Sequence, residues 1–156
     1  MTDIVDSNTR SKIMSRIKGR DTQPELILRR EIHKVGFRYR THVSRLPGRP
    51  DLVFPRYRAV VFVHGCFWHR HAGCPFATIP ATNEAFWQSK FDATIRRDAV
   101  AVGKLSQMGW RIATVWECEL EARLNDAVGC VTDWLRSDRS TLEIPKRIRA
   151  GRPLSH

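Results

Sequence analysis

The sequence has no long apolar run, little cysteine and a shortage of acidic side chains. Its longest clean apolar run covers residues 59–63, which is far too short for a membrane-spanning helix. The N-terminus carries no apolar signal core, so we do not expect secretion. Four cysteines among 156 residues are too few for a disulfide scaffold, and a cytosolic protein would keep them reduced. These absences predict a cytoplasmic protein without a membrane anchor.

The shortage of acidic residues leaves a strong positive charge. Asp and Glu number 16 against 27 Lys and Arg, so the formal net charge is +11. A protein of this kind is expected to bind an acidic partner, of which nucleic acid is the commonest. Basic residues are concentrated near both ends of the chain, where they are either arms that contact phosphates or simply solvated side chains.

The length of the chain fits one domain with two tails. We assign residues 1–22 to a basic N-terminal arm, residues 23–136 to the folded domain and residues 137–156 to a basic C-terminal tail. No internal repeat or low-complexity tract is visible.

Helices are predicted where apolar residues recur at helical spacing between capping signals. One begins at Asn8 or Thr9 and ends near residue 18, and a second begins with the capping box Thr22-Gln-Pro-Glu25 and ends at Gly36. Two later helices are predicted at 82–108, with a break allowed near 89–92, and at 119–136.

Strands are predicted where apolar and polar residues alternate or where an apolar run is short. They cover 37–41, 51–54, 58–64 and 110–116. The third of these is apolar at every residue from 59 to 63, which indicates burial on both faces. The order ααβββααβα predicts a mixed α/β domain with helices on both sides of a small sheet.

The loop at 65–81 has no periodicity, and a loop of this length in a compact domain is usually functional or held in place. Metal-ligand side chains lie on it and after the last predicted strand: Cys66, His71, Cys74 and Cys118. Four such ligands hold structural zinc in a tetrahedron, which would fasten the loop to the core. Spacing alone equally allows Cys66 and Cys118 to be small core residues and His71 a surface histidine. Cys130 is predicted to be a core residue.

A second group combines carboxylates with imidazoles: Asp51, His64, His69 and Asp98. Magnesium takes hard oxygen ligands, so one Asp together with substrate phosphate oxygens can hold it. A neutral His nearby can take a proton from the attacking water, and Asp98 can orient that His. Each residue alone also has an ordinary explanation as a turn residue, a core histidine or a surface charge. Together, beside a basic surface, they indicate metal-assisted phosphodiester hydrolysis.

Aromatic residues are concentrated around the same loop. Phe67 and Trp68 lie on it, and Phe86 and Trp87 begin the next helix. Large apolar side chains on a loop are costly to expose unless they insert into a partner, as do the wedges that unstack base steps. Core packing is the alternative, and it is what we expect for Phe86. Met14 on the basic N-terminal helix is a further candidate wedge, although its spacing favours a core position.

Several strings of residues together resemble the very short patch repair (Vsr) DNA mismatch endonucleases. These are Leu46-Pro-Gly-Arg-Pro-Asp51, Val63-His-Gly-Cys-Phe-Trp-His69, Gly109-Trp and Val115-Trp-Glu-Cys118. The His-Gly-Cys-Phe-Trp-His string is highly specific, and the resemblance extends from about Thr9 to Cys118.

The resemblance implies a restriction-endonuclease-like core, a small mixed central sheet flanked by helices, with a structural zinc loop. It implies an enzyme that nicks double-stranded DNA at T:G mismatches left by deamination of 5-methylcytosine, on the 5′ side of the mismatched thymine. Mismatch-repair proteins and a repair polymerase are expected partners, and the bacterial nucleoid is the expected location.

The resemblance also implies roles for the hydrolytic residues. Asp51 would ligate Mg²⁺ together with the backbone carbonyl of Val63, a position where Thr is familiar in the family. His69 would activate the water with Asp98 as its partner, and His64 would act at the scissile phosphate.

The remaining implied roles concern metal support and DNA contact. Glu25 would hold water molecules of the metal. Zinc would be held by Cys66, His71, Cys74 and Cys118. Phe67, Trp68 and Trp87 would wedge beside the mismatch from the major groove, and Met14 would approach from the other side. Two other functions stay open: a restriction-like nuclease that cuts both strands, and a non-catalytic zinc-stabilised DNA-binding module.

Overall fold

A computed structural model describes residues 22–145 of the chain. The predicted helix at 8–18, Met14 and the last residues of the predicted C-terminal tail lie outside this range. Within it, the helices are α1 (Gln23–Lys34), α2 (Glu84–Gln107), α3 (Glu117–Ala122) and α4 (Leu124–Arg136). The strands are β1 (Leu52–Phe54), β2 (Ala59–His64), β3 (Arg111–Trp116) and β4 (Thr141–Ile144). No helix among residues 22–145 has the length and apolar character needed to cross a lipid bilayer.

The four strands form one mixed sheet in the order β1-β2-β3-β4. β1 pairs with β2 in antiparallel fashion, whereas β2 with β3 and β3 with β4 are parallel. The prediction of a small mixed sheet flanked by helices is therefore confirmed. β2 lies between two neighbours and is buried at all six positions, as its unbroken apolar run predicts.

The two faces of the sheet carry separate cores. One face packs against α1, α3 and α4 through a cluster that includes Leu28, Ile32, Val61, Val115 and Trp134. The other face packs against α2 through a cluster that includes Val60, Phe62, Leu105 and Ile112. Because side chains alternate along a strand, successive residues of β2 reach opposite cores. Both ends of β2 are thus held rigidly, including the end that carries His64.

Two predictions in the first half of the chain were wrong. The predicted strand at 37–41 is reduced to one isolated bridge between Arg40 and Val53, because His42 adopts a left-handed backbone (φ 57) that turns the chain away. The capping box at α1 is incomplete. The Thr22 hydroxyl lies 3.3 Å from the Glu25 carboxylate and makes no cap bond to a backbone N–H.

The second half also differs from the prediction at three points. α2 runs without the break that was allowed near 89–92, since no Gly or Pro interrupts it there. The single helix predicted at 119–136 is two helices, separated at Arg123 (φ −144). The range assigned to the tail contains β4, which extends the sheet beside β3, so the folded domain continues beyond residue 136.

Candidate active site and metal centre

The predicted hydrolytic residues line one open groove of about 1070 Å³. The groove lies where β2 ends and α2 passes across the sheet. Glu25, Asp51, Val63, His64, His69 and Asp98 all contribute to its lining. The structure therefore brings the predicted carboxylates and imidazoles together.

Asp51 is fixed at the point where β1 and β2 separate. The Asp51 N–H donates to the Val61 carbonyl at 3.0 Å, and this is the last backbone hydrogen bond at this end of the β1–β2 pairing. One step further, the Val63 N–H donates to the Asp51 carboxylate at 2.6 Å. The side chain thus takes the place of the next backbone partner. This leaves the carboxylate at the open end of the sheet, with its orientation set by β2.

Glu25 places a second carboxylate beside Asp51. It is a buried residue of α1 with 2% of its surface exposed, and it shares a hydrogen bond with Asp51. Arg29 neutralises part of this charge through an ion pair with Glu25 at 2.9 Å. Burial, and next the Glu25 carboxylate, raise the pKa of Asp51 well above its usual value. A buried carboxylate in contact with a half-buried one is the kind of oxygen-rich site that a divalent cation stabilises.

His69 and Asp98 form a hydrogen-bonded pair across the groove. The His69 Nδ1 lies 2.6 Å from an Asp98 carboxylate oxygen. Because a carboxylate accepts, Nδ1 carries the proton and the Nε2 of a neutral ring keeps its lone pair. This is the tautomer that a general base requires.

His64 stacks directly on His69. The ring centroids are 3.8 Å apart and the planes differ by 3°. His64 is 9% exposed, and its Nδ1 has no hydrogen-bond partner among residues 22–145. Burial, and next the neighbouring His69, lower the pKa of His64 to about 3. His64 is therefore neutral near physiological pH, and it does not oppose a charge that develops on His69 by repulsion.

A metal ion would not be bound well by the group formed by His64, His69 and Asp98. Ligand atoms of His64, His69 and Asp98 lie within 4.8 Å of one another. However, the nitrogen lone pairs lie in the ring planes, and two parallel planes 3.8 Å apart cannot direct their lone pairs to one ion. The arrangement favours proton transfer over metal binding.

Four other ligand-type residues converge below the loop: Cys66, His71, Cys74 and Cys118. Their ligand atoms lie within 4.8 Å of one another. The His71 Nδ1 is 3.7 Å from the Cys66 sulfur and 3.4 Å from the Cys118 sulfur. Ordinary Zn–S and Zn–N bonds at a tetrahedral angle separate such atoms by about 3.6 Å. The cluster therefore has the donors and the spacing of a zinc centre.

The electrostatics of the cluster also fit a cation. Burial raises the pKa of both Cys66 and Cys118, and burial lowers that of His71. Packed thiols in this setting stay protonated unless a cation compensates their charge, because burial opposes the thiolate. A bound cation would reverse this preference.

Trp116 contacts both the Cys and His cluster and the stacked pair of His64 and His69. Its ring stacks on His71 at a centroid distance of 4.2 Å and meets His64 in an edge contact at 5.1 Å. Next to it, the Glu117 carboxylate accepts a hydrogen bond from the Cys66 N–H at 3.2 Å. The Cys and His cluster and the histidine pair are thus held by the same end of β3.

The aromatic residues gather at the edge of the groove. The Phe67 ring lies 5.4 Å from Trp68 and 5.7 Å from Trp87, and all three side chains are partly exposed. Phe91 is buried beneath them. Phe86 was predicted to be core, which is wrong: it is 53% exposed and lines the groove, because the first turn of α2 projects beyond the sheet.

Some placements were not anticipated from the sequence. Cys130 is exposed on α4 and not core, because it lies just outside the arc of that helix that packs on the sheet. Trp116 and Glu117 received no role, although they stand beside Cys118. No role was predicted for Arg29 or Arg70, because a sequence does not distinguish an arginine that packs inward from one that is solvated.

Comparison with known proteins gives a consistent result. A family model described as DNA mismatch endonuclease Vsr matches residues 2–74. The chain is 42% identical over 132 residues to the type II nicking enzyme V.XorIIP of Xanthomonas oryzae pv. oryzae, covering 81% of this chain and 96% of that protein. It is 43% identical over 123 residues to the DNA mismatch endonuclease Vsr of Escherichia coli, covering 79% and 78% of the two chains. It is also 40% identical over 121 residues to the type II nicking enzyme V.NmeAIP of Neisseria meningitidis, covering 78% and 86%.

Proposed function

Because the chain belongs to the Vsr family of DNA mismatch endonucleases, it is a DNA endonuclease, and we propose that it nicks duplexes at T:G mismatches. The mismatch would arise by deamination of 5-methylcytosine, and the cut would lie 5′ of the mismatched thymine. One observation carries this proposal. A single groove is lined by the Asp51 carboxylate, the His69–Asp98 pair and the partly exposed aromatic rings of Trp68 and Trp87. Hydrolytic groups and a base-unstacking surface thus lie side by side.

The Asp51 carboxylate and the Val63 carbonyl are the groups we assign to Mg²⁺, with Glu25 holding waters beside them. The fit rests on the contact between the Asp51 and Glu25 carboxylates, which a divalent cation would stabilise. When bound, the ion would supply positive charge to the phosphate oxygens at the cut. The Val63 N–H bond to Asp51 keeps the carboxylate in one orientation.

His69 is the residue we assign as general base. Its Nδ1 is bound to Asp98 at 2.6 Å, so its Nε2 is free to take a proton from the attacking water. The Asp98 carboxylate then stabilises the imidazolium that results. His64, which stacks on His69, keeps a neutral ring beside the base and would contact the scissile phosphate.

The aromatic edge provides a physical basis for mismatch choice. Phe67, Trp68 and Trp87 contact one another through their ring edges and present partly exposed faces. If these rings insert beside a base pair, they must unstack it, and the free energy of unstacking is lower at a T:G wobble than at a Watson–Crick pair. Discrimination would thus come from the free energy of opening the duplex.

The Cys and His cluster is assigned to a structural zinc ion. All four donors are supplied by protein side chains, as in closed structural sites. The ion would fasten the loop that carries His69 and the aromatic residues to the end of β3. We expect the enzyme to act on chromosomal DNA in the bacterial cytoplasm, alongside mismatch-repair proteins and a repair polymerase.

The test is strand cleavage on matched pairs of duplexes that differ only in T:G against T:A. With Mg²⁺ present, the wild-type protein should cut the T-containing strand of the T:G duplex 5′ of the thymine and leave the other strand intact. Cuts in both strands would favour a restriction-like nuclease, and binding without any cut would favour a non-catalytic module.

Asp51→Ala separates catalysis from binding. We expect this variant to bind the T:G duplex but to lose nicking by about 10³-fold or more, because the group assigned to Mg²⁺ is gone. Nicking at the wild-type rate would show that Asp51 has another role. Asp126→Ala is the matched control, since Asp126 is an exposed residue of α4.

A further inference from the structure

Arg70 folds back under the aromatic edge, although the sequence analysis gave it no role. We propose that Arg70 is a positioning residue that holds Phe67 and Trp68 rigid while they open the duplex. This inference rests on the proposed function. It concerns the rigidity of the wedge, that is, of the side chains Phe67, Trp68 and Trp87. The hydrolytic groups and the zinc ligands do not by themselves determine this rigidity.

The Arg70 guanidinium binds three backbone carbonyls from two separated parts of the loop. Its Nη1 donates to the Phe67 carbonyl at 2.9 Å and to the Thr78 carbonyl at 3.0 Å. Its Nη2 donates to the Ala77 carbonyl at 3.0 Å. The fork of the guanidinium thus ties the segment at 77–78 to the first aromatic residue of the wedge.

The guanidinium also lies against the rings that support the wedge. Its central carbon is 4.0 Å from the centroid of the Phe91 ring and 5.5 Å from that of Phe67. Phe91 is 3% exposed and contacts both Phe67 and Trp68. Arg70 therefore fills the space behind the wedge with a planar cation that stacks on aromatic faces.

The zinc ligands alone do not provide this support. Cys66, His71 and Cys74 hold the loop up to residue 74, and one backbone hydrogen bond, from the Ala77 N–H to the Cys74 carbonyl at 3.0 Å, extends this restraint to Ala77. The side-chain tie from the segment at 77–78 to the Phe67 carbonyl is made by Arg70. Loss of this tie should loosen the wedge and leave the metal cluster assembled.

Rigidity matters because stacked bases resist insertion. If the loop that carries the aromatic side chains is flexible, it moves before the base step opens. Binding free energy then deforms the loop and does not unstack the bases. Arg70 would thus contribute to productive binding of the stacked duplex and much less to hydrolysis once the step is open.

Arg70→Ala and Arg70→Lys test this role. The backbone of Arg70 is left-handed (φ 54), and Ala and Lys carry the same backbone cost as Arg, so the variants isolate the side chain. Lys keeps the charge but not the fork. Arg56→Ala, an exposed residue at the opposite end of the sheet, removes the same charge and is the control.

The duplexes carry 2-aminopurine next to the T:G pair, whose fluorescence rises on unstacking. A second duplex is opened in advance by an abasic site opposite the thymine. On the T:G duplex, Arg70→Ala should lose about 10- to 100-fold in kcat/KM and most of the fluorescence rise. On the opened duplex it should stay within about threefold of wild type. Arg70→Lys should fall between, and zinc content should not change.

Failure of this inference is distinct from failure of the proposed function. A wild-type protein that nicks T:G and T:A duplexes equally overturns the proposed function. A wild-type preference for T:G that Arg70→Ala retains in full, with the fluorescence rise intact, overturns the role of Arg70. Equal losses on stacked and opened duplexes also overturn it, since they would reflect general damage to the fold.

Discussion

The two histidines of the groove have different environments although their rings are in contact. The His69 Nδ1 lies 2.6 Å from an Asp98 carboxylate oxygen, whereas His64 is buried with its Nδ1 unpartnered among the described residues. Burial, and next the neighbouring His69, lower the pKa of His64 to about 3. His64 therefore stays neutral, while the Asp98 carboxylate stands ready to compensate a proton that His69 would take from water.

The neutral state of His64 has a consequence for stability against pH. Its pKa is lowered to about 3 in the folded protein, against an ordinary value of about 6.5. The unfolded chain therefore binds a proton more readily, and stability present above about pH 6.5 is lost as the pH falls toward about 3. Between about pH 7 and about pH 5, this residue alone should lower the free energy of unfolding by about 2 kcal/mol.

Urea unfolding at the two pH values, with His64→Gln for comparison, measures this effect. Glutamine does not titrate, so the variant should lose about 2 kcal/mol less than wild type over the interval. Acid release of metal affects both proteins and cancels in the difference. An equal loss in the two proteins would mean that His64 is charged or solvated in the fold.

At the level of elements, the loop that carries Asp51 is locked against α2 by a close contact. Gly48 has a left-handed backbone (φ +74), and a Cβ at this position would lie 2.6 Å from the Ala101 Cβ and 3.2 Å from the Phe62 ring. Ala101 is on α2 just beyond Asp98. The contact therefore sets the spacing between the Asp51 loop and the helix that orients His69.

Gly48→Ala should be destabilising by about 2 to 4 kcal/mol, from the overlap and the left-handed backbone together. Adding Ala101→Gly removes the nearest atom. The double variant should then be more stable than the sum of the single effects by about 1 kcal/mol or more, as measured by urea unfolding. Strict additivity would mean that the loop and the helix are not in contact.

The Cys and His cluster of the loop between β2 and α2 is completed by a side chain from another element. Cys118 on α3 joins three ligands of the loop, and serine is a poor zinc ligand. Cys118→Ser should lower the zinc content and speed proteolysis within residues 65–83. Elemental analysis and limited proteolysis measure both effects.

Cys130→Ser is the control for that variant, because Cys130 is exposed on α4 and lies outside the cluster. Its zinc content and proteolysis should match those of wild type. Absence of zinc from the wild-type protein itself would reject the assignment of the cluster.

The sequence was informative where a local pattern decides the structure. The apolar run in β2 predicted burial on both faces, and the structure places His71 beside the cysteines and His69 beside Asp98, the groupings that the resemblance implies. Predictions failed where distant partners decide. The segment at 37–41 has the alternation of a strand but only one bridge to β1. β4 has little apolar character and exists because β3 offers a free edge.

On the scale of the whole molecule, the proposed function has the net charge of +11 and the aromatic edge contribute to DNA binding in different ways. Phosphate contacts release counterions and depend steeply on salt, whereas the insertion of rings between bases does not. The two contributions can therefore be separated by titration.

Plots of log Kd against log salt should be steep, with an affinity loss of about 10³-fold between roughly 50 and 200 mM salt. The plots for T:G and T:A duplexes should be parallel and offset, because both share the phosphate contacts and differ only in unstacking. Fluorescence anisotropy measures them, with Asp51→Ala as the protein because we expect this variant to bind without nicking. Lines that converge at high salt would mean that charge, and not unstacking, discriminates the mismatch.

Among residues 22–145, the groove brings together one pair of carboxylates in contact and one imidazole–carboxylate couple. A lone set of reactive groups can sever a single phosphodiester in each encounter. The complementary strand then stays continuous and keeps the broken ends in register, and under the proposed function it would preserve the mismatched guanine as a template. An incision made in error could be resealed by a ligase, so the geometry of the groove limits the damage that a misdirected cut can do.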